Sequence, residues 1–493
     1  MTTETASEKK QFWGDRLTEA PEELNIRYCA GRDVASRPMA DSVLVEYDCW
    51  QNRAHSTMLA RERIIDPAKL EQILAGLAEF ESLHRSGQLT LQADKEDVHT
   101  NIEHFVAERH GREISGVMHT GRSRNDQTTT VVRMYVRDQL LQFARGLSLT
   151  VEALLDFAEK HVDCPIAGFT HYQPASVTTL GHWFAAHAQA LLRDIDRAMD
   201  SYNRVNISPL GAAASFGTSW PINRELTAEL LGFPSVQENT LDCITNRWEM
   251  EADAGAVLSF AINHLSILSQ DLILLSQPAF NIIKIADRYV TGSSIMPQKR
   301  NPDFAEVTRS KAALVHGMLN SILGIAKGAL SGYNRDTQWT KYLIIDLFDE
   351  VQDAPAIFAG VLKTLTVDRE RAIATAETDF VNAVDVADVL AQESGLPFRV
   401  TYEIVSKSVK LCEDAGTIDP AVVRKLAAEH GVENLALDIG SAQKIAERKT
   451  HTGATSAESV RASITGMRGR LQDHRKHITA EVERLRKIRL TTD

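Results

Sequence analysis

The chain has 493 residues, of which 43% are hydrophobic and 24% are charged, and its formal net charge is −12. This ordinary globular composition excludes collagen-like and disordered chains, and the acidic balance argues against a broad nucleic-acid-binding surface. The length predicts roughly three domains with a large buried core.

The cysteines and the most apolar stretch indicate the compartment. The five cysteines have no close pairs, so the sequence predicts neither a zinc site nor a disulfide framework, and reduced thiols fit best. The first ten residues lack the apolar run of a signal peptide. Residues 254–280 are apolar, but Asn263, His264 and Asp271 interrupt them, which favours a buried helix over a membrane span. We therefore expect a soluble, cytoplasmic protein.

The N-terminal third is predicted to be mainly helical. Residues 1–65 give no clear pattern apart from a helical stretch at 48–63. Apolar residues then recur at helical spacing from Leu70 to Phe80, and another helix begins near Val98.

A polar cluster at residues 119–127 precedes a long helix. Apolar residues repeat at three- and four-residue steps from Val132 to Leu154, which predicts one apolar stripe along a helix of about seven turns. Arg124 and Asn125 lie just before this stripe, where a helix N-terminus favours an anion, so both are candidate carboxylate binders. The alternative is a charged, solvated loop.

A second polar cluster, at residues 168–176, contains Thr170, His171 and Gln173. A lone histidine is more often a surface residue than a catalyst. His171 gains weight because polar clusters recur at helix ends along this chain.

The helices that follow this cluster predict an oligomer. A helix is predicted at 178–202, and a connection containing glycine and proline follows at 203–248. Between Arg247 and Lys284 there is no lysine or arginine. A helix this apolar must be buried on nearly every side, which predicts the centre of a bundle built from several chains.

A third polar cluster, at residues 291–303, is the densest. Ser293 and Ser294 offer hydroxyl groups that could take or give a proton, and Lys299 and Asn301 could hold a carboxylate. The alternative is a serine-rich loop leading into a helix. The lysine and asparagine that follow the two serines favour a site.

A fourth polar cluster, at residues 333–341, lies between helices predicted at about 307–325 and 343–366. Its alternative is an interhelical turn covered by a tyrosine, and we accept that interpretation for Trp339 and Thr340.

The chain changes character after about residue 380. Short helical runs at 384–394, 402–413 and 420–430 precede a basic, amphipathic terminal helix. Basic helices can bind nucleic acid or membranes, but interspersed acidic residues favour a solvated helix packed on the protein.

The four clusters together favour acid–base chemistry without a cofactor. They contain arginine, lysine and asparagine for carboxylates, with serine and histidine for proton transfer, and the chain shows no metal-ligand set or dinucleotide fingerprint. Successive ends of antiparallel helices lie at opposite ends of a bundle, so neighbouring subunits would be needed to bring the clusters together.

Two of these motifs resemble a known family. The run Gly-Ser-Ser-Ile-Met-Pro-Gln-Lys-Arg-Asn-Pro at 292–302 resembles the signature of the fumarase/aspartase superfamily. The run His-Thr-Gly-Arg-Ser-Arg-Asn-Asp-Gln at 119–127 is similar to the argininosuccinate lyase family within it. Shorter matches, such as Glu96-Asp-Val-His99, extend the likeness over about residues 45–410, whereas the segment before Tyr47 aligns poorly.

The resemblance implies an all-α fold. It predicts three mainly helical domains, at 1–128, 129–378 and 379–493, of which the middle one is a long five-helix bundle. It also implies a homotetramer with a twenty-helix core and four sites, each built from three chains.

The resemblance also implies a reaction, the anti elimination of fumarate and an amine from a succinyl group through an aci-carboxylate. Ser293 would be the base, Lys299 would hold the reacting carboxylate, and Glu306 would orient His171, whose role as acid is left open. No metal or cofactor is expected. Residues expected to bind substrate are Arg124, Asn125, Thr170, Ser294, Met296, Asn301, Asp303, Tyr333, Arg335, Gln338 and Lys341.

The positions at which this sequence differs from the family pattern bear on which substrate it uses. Argininosuccinate lyases usually have Glu-Asp where this chain has Trp339-Thr340, and Asp where it has Trp248. Because a buried guanidinium wants carboxylate partners, we expect an N-substituted L-aspartate with an amine other than arginine. Ethylenediamine-N,N′-disuccinate is preferred, since Lys341 and Arg335 would suit a second succinyl group. The alternatives are argininosuccinate and an inactive, crystallin-like structural protein.

Overall fold

In the computed structural model, the described residues are Glu19, 22–30, 39–433 and 435–492. Much of the poorly matching N-terminal segment therefore lies outside the described residues. The helices of the N-terminal part are α1 (Glu23–Ala30), α2 (Val45–Arg61), α3 (Pro67–Arg85), α4 (Val98–His110) and α5 (Arg112–Val117). Aspartate residues cap the N-termini of α3 and α4. Asp66 accepts the N–H of Ala68, and Asp97 accepts the N–H of Thr100.

The central part alternates long helices with short strands. Its helices are α6 (Arg124–Lys160), α7 (Leu180–Val205), α8 (Arg224–Leu230), α9 (Thr240–Thr245), α10 (Arg247–Ser276), α11 (Asp303–Ala326), α12 (Trp339–Val351) and α13 (Ala354–Thr364). Its strands are β1 (Pro165–Thr170), β2 (Gln173–Thr179), β3 (Ile283–Lys284) and β4 (Thr366–Val367), paired antiparallel as β1–β2 and β3–β4.

The C-terminal part is also helical. Its helices are α14 (Arg369–Ala376), α15 (Ala383–Ser394), α16 (Phe398–Leu411), α17 (Pro420–Ala428), α18 (Ala442–Arg448) and α19 (Ala457–Thr492). The all-α prediction is therefore confirmed, with one hairpin, β1–β2, and one short two-stranded pair, β3–β4, added.

The bundle consists of α6, α7, α10, α11 and the pair α12 and α13, which pack side by side around one apolar core. A capping box starts α6: Ser123 Oγ accepts the N–H of Asn125, and Asp126 Oδ1 accepts the N–H of Ser123. With 37 residues, α6 is about 55 Å long and sets the length of the bundle.

The fifth helix of the bundle is broken, where the sequence predicts one helix at 343–366. It ends at Val351 and resumes at Ala354, because Pro355 lacks an N–H and is tolerated in the first turn of a helix but not in its interior.

Helix α10 is long and apolar enough, by length and composition, to cross a membrane. It packs instead against α7, α11 and α12 in the bundle, with half of its most apolar window buried. Its place matches the predicted buried core helix.

The hydrophobic cores divide the C-terminal residues between two regions. Helices α15 to α18 contribute to a core that includes Ala167 of β1 and Val177 of β2. The terminal helix α19 instead adds Val460, Ile464 and Leu471 to the main bundle core. The domain boundary at residue 379 stays a prediction. The residues beyond it divide between the C-terminal core and the main bundle core.

Candidate active site

The loop at 291–303 is closed at its neck by backbone pairing. Thr291 and Asn301 exchange N–H to carbonyl hydrogen bonds of 3.0 and 2.8 Å, and Thr291 Oγ1 donates to Asp303 Oδ2 at 2.5 Å. An ion pair between Arg300 and Asp287 anchors the base of the loop. The residues beyond the neck project from the chain, and Ile295 is 82% exposed.

Ser293 lies just inside this neck. Its Oγ accepts the backbone N–H of Met296 at 3.1 Å and that of Ile295 at 3.4 Å. Two N–H donors aimed at one hydroxyl oxygen would stabilise the negative charge that a serine base carries. The local geometry therefore suits proton abstraction at Ser293.

The other predicted residues of this loop are placed unequally. The side chains of Ser294, Met296 and Lys299 are exposed, which leaves them available to a ligand. Asn301 Nδ2 donates to the carbonyl of Gly292 at 3.3 Å. The carboxylate of Asp303 accepts the hydrogen bond from the hydroxyl group of Thr291 at the neck.

The predicted histidine lies at the tip of the β1–β2 hairpin. His171 and Tyr172 form a two-residue turn with φ angles of 54° and 61°, as in a type I′ turn. Positive φ angles are uncommon for residues other than glycine, above all for a bulky residue such as Tyr172, and such strain clusters at functional sites. Thr170 and His171 are exposed, and within the described residues no hydrogen bond or ion pair joins His171 to Glu306 in one chain.

The N-terminus of α6 holds the first predicted carboxylate binders. Arg124 Nη2 donates to Thr100 Oγ1 at 2.9 Å, and its guanidinium also lies 3.5 Å from Asp97 and 3.4 Å from Glu103. Burial would raise the pKa of Asp97, but His99, Thr100 and Arg124 hold it below its ordinary value. Asn125 follows on the first turn of α6.

The residues of the fourth cluster pair with acids from the N-terminal part. Lys341 is buried, with Nζ 2.5 Å from Asp41 Oδ1, and Asp41 Oδ2 accepts the N–H of Val98. Arg335 Nη2 lies 3.2 Å from Glu96 Oε1 on the surface. The two cations expected to meet a second succinyl group therefore already have carboxylate partners.

A cavity of about 280 Å³ lies between these two parts of the chain. Asp41, Glu96 and Asp97 line it from the N-terminal side, and Gln338 and Lys341 line it from the other. We call it the amine-end pocket. At its edge, Tyr333 Oη donates to Gln338 Oε1 at 3.4 Å.

The three acids of this pocket were missed as site residues. Glu96 and Asp97 belong to a motif that carries the family resemblance, but no role was attached to them. Asp41 lies in the segment without a clear pattern, and its partner Lys341 is 300 positions away in the chain.

Arg124 and the hairpin tip at His171 are too far apart to act together in one chain, whereas the first and fourth clusters both reach acids of the amine-end pocket. Arg124 begins α6, and the hairpin follows the other end of this helix, about 55 Å away. Strand β1 has six residues, so even if it ran back along the helix it would shorten this distance by only about 20 Å. One chain therefore holds these two groups of predicted site residues in separate places.

Comparisons with known proteins match lyases along nearly the whole chain. The lyase family profile matches residues 39–317, and the profile for the C-terminal region of argininosuccinate lyase matches 380–451. Argininosuccinate lyase of Thiobacillus denitrificans is 38% identical over 471 residues, covering 93% of this chain and 98% of that protein. The enzyme of the same name from Chromobacterium violaceum is also 38% identical, with the same coverage.

Solved structures show the same fold. The crystal structure of EDDS lyase in complex with formate superposes with a TM-score of 0.85 at 28% identity, covering 97% of this chain and 95% of that one. A class II fumarase from Schistosoma mansoni, at 15% identity and a TM-score of 0.67, shares the fold. The chain belongs to the argininosuccinate lyase family of the fumarase/aspartase superfamily and is a carbon–nitrogen lyase that releases fumarate.

Proposed function

We propose that this lyase eliminates fumarate from an N-substituted L-aspartate whose amine end is cationic, with argininosuccinate as the first substrate to test. Ser293 takes the Cβ proton, and the developing charge passes to the neighbouring carboxylate as an aci-carboxylate before the C–N bond breaks. The N–H groups of Ile295 and Met296, which already contact Ser293 Oγ, stabilise the deprotonated serine.

Lys299 and Asn301 hold the reacting carboxylate, since the developing dianion gains most from donors that are positioned in advance. Glu306 orients His171 across a subunit boundary. The other succinyl oxygens contact Arg124, Asn125, Thr170, Ser294 and Met296, and Asp303 supports the neck of the loop.

The pairing of Lys341 with Asp41 is the observation that carries the choice of amine. Asp41, Glu96 and Asp97 line the pocket, and each already pairs with a cation of the chain. A guanidinium or an ammonium group of the substrate could share these carboxylates. Tyr333, Gln338 and Lys341 complete this end, and Arg335 lies at its rim.

Ethylenediamine-N,N′-disuccinate is the second candidate. Trp339 and Thr340 stand where argininosuccinate lyases usually carry two acids, and the fold closely matches that of EDDS lyase. Arg335 is largely exposed, so its pairing with Glu96 contributes little and could give way to a substrate carboxylate.

We propose a homotetramer with shared sites, and the separation of the clusters within one chain supports an assembly of this kind. Apolar side chains on the outer faces of α10 and α11 are about half exposed in one chain, namely Phe260, Ile267, Leu314 and Leu323. A second copy of these helices would cover them. We place the protein in the cytoplasm, where its five free cysteines stay reduced.

Fumarate absorbance tests this proposal with three outcomes. Release from argininosuccinate at a higher kcat/KM than from ethylenediamine-N,N′-disuccinate supports the cationic amine end. The reverse order selects the second candidate. Release from neither contradicts both substrates and favours the inactive, crystallin-like alternative.

A further inference from the structure

A buried polar cluster at the start of α10 lies next to the amine-end pocket. Glu251 is 2% exposed and Arg247 is 3% exposed, one turn apart on the same helix. Within the described part of the chain, Glu251 Oε2 and Arg247 Nε and Nη2 have no hydrogen-bond partner. Charges held this far from water need a reason, because burial without full pairing is costly.

The groups around Glu251 come from three helices. Burial raises the pKa of Glu251 to about 7, although Arg247, the hydroxyl group of Thr340, Lys341 and Arg133 all favour the charged form. Arg247 lies on α10, Thr340 and Lys341 on α12, and Arg133 on α6. The Glu251 carboxylate is thus the negative charge among three buried cations.

The cluster and the amine-end pocket meet at the start of α12, which packs against α10 and carries the buried Lys341. This lysine is 4% exposed and also pairs with Asp41, which lines that pocket. If Glu251 lost its charge, Arg247 and Arg133 would repel Lys341 in a poorly screened interior. A negative charge on Glu251 would oppose this repulsion.

We propose that Glu251 is a positioning residue for the amine end of the substrate. Its carboxylate keeps Lys341 in place beside Arg247 and Arg133, so that Lys341 and Asp41 together shape the pocket. Thr340 precedes Lys341 at the start of α12, and its hydroxyl group favours the charged form of Glu251. The inference rests on the proposed function for the identity of the amine end.

Glu251→Gln tests the inference, with Glu249→Gln as a matched control on the exposed face of the same helix. At pH 8 we expect the KM for argininosuccinate to rise at least ~10-fold in Glu251→Gln, while kcat changes less than ~3-fold. The control should keep the KM of the wild type. In the wild type KM should rise as the pH falls from 8 to 6, because Glu251 becomes protonated, and Glu251→Gln should lose this dependence.

Stability distinguishes positioning from a structural role. The folded pKa of Glu251 lies above that of an unfolded glutamate, so the folded state binds this proton more tightly and its stability falls as the pH rises from about 4.5 to 7. Glu251→Gln should therefore unfold at the same or higher urea concentration than the wild type at pH 8. A merely structural carboxylate predicts loss of stability with an unchanged KM.

Thr340→Asp combined with Glu251→Gln returns a carboxylate to the same cations and should restore most of the lost affinity. The inference is overturned if Glu251→Gln leaves KM and its pH dependence unchanged, if the double variant recovers nothing, or if a crystal structure of Glu251→Gln shows Lys341 still paired with Asp41. A wild type that releases no fumarate would contradict the proposed function instead, and the crystal structure of the variant would still decide the inference.

Discussion

At the scale of single residues, the loop around Ser293 has the geometry that the proposed base requires. An isolated serine hydroxyl group is a weak base, and here two backbone N–H groups converge on its oxygen before any substrate is present. The neck formed by Thr291 and Asn301 holds those donors in place. The sequence identified Ser293 through its motif, but the direction of the two N–H groups depends on the backbone conformation and could not be read from residue types.

Ser293→Ala should lower kcat at least ~10²-fold, because it removes the group that takes the Cβ proton. Fumarate absorbance measures this loss, and size-exclusion chromatography checks that the assembly persists. Ser310→Ala, an exposed serine on α11, serves as the control. Near-normal turnover of Ser293→Ala would show that another group is the base.

Asp41→Asn should raise the KM for argininosuccinate at least ~10-fold, because it removes the carboxylate that pairs directly with buried Lys341 in the amine-end pocket. Steady-state kinetics of this single variant measure the change in KM. Asp94→Asn, on the exposed turn before α4, is the control. An unchanged KM would place the amine elsewhere. The sequence could not predict this pair, since Asp41 and Lys341 meet only in the folded chain.

At the scale of secondary-structure elements, the hairpin β1–β2 is the feature that the sequence did not predict. Its strands contain Gly168, Pro174 and several small residues, which are poor strand formers, and its turn uses His171 and Tyr172 where Asn-Gly is typical. Periodicity found the long helices α6, α7 and α10 because each carries a sustained apolar stripe or an apolar surface. The break before Pro355 could have been predicted from that proline alone.

His171→Asn should separate the role of the imidazole from that of the turn. Asparagine adopts left-handed backbone conformations readily, so the hairpin and the melting temperature should be preserved while kcat falls about 10²-fold. Thermal unfolding and fumarate release measure the two properties, and His104→Asn on α4 is an exposed control. If activity survives, the histidine has no part in proton transfer.

At the scale of the whole molecule, one chain holds the predicted site residues in three separated places. The start of α11, next to the 291–303 loop, packs against α13 through Phe304 and Phe358. In turn, α13 meets α6 at Thr150, about 40 Å along that helix from Arg124. The four polar clusters and the reaction class were predicted from the sequence, but the spacing between the clusters depends on how the bundle is packed.

Co-expression of Ser293→Ala and His171→Asn chains tests most directly whether the site is shared between subunits. Each variant alone should release little fumarate, because every site lacks the same group. If the base and the histidine come from different chains of a homotetramer, random mixing restores both in about a quarter of the sites, and activity should recover toward that fraction of the wild type. Activity no higher than that of the two variants measured separately would contradict a site built between chains.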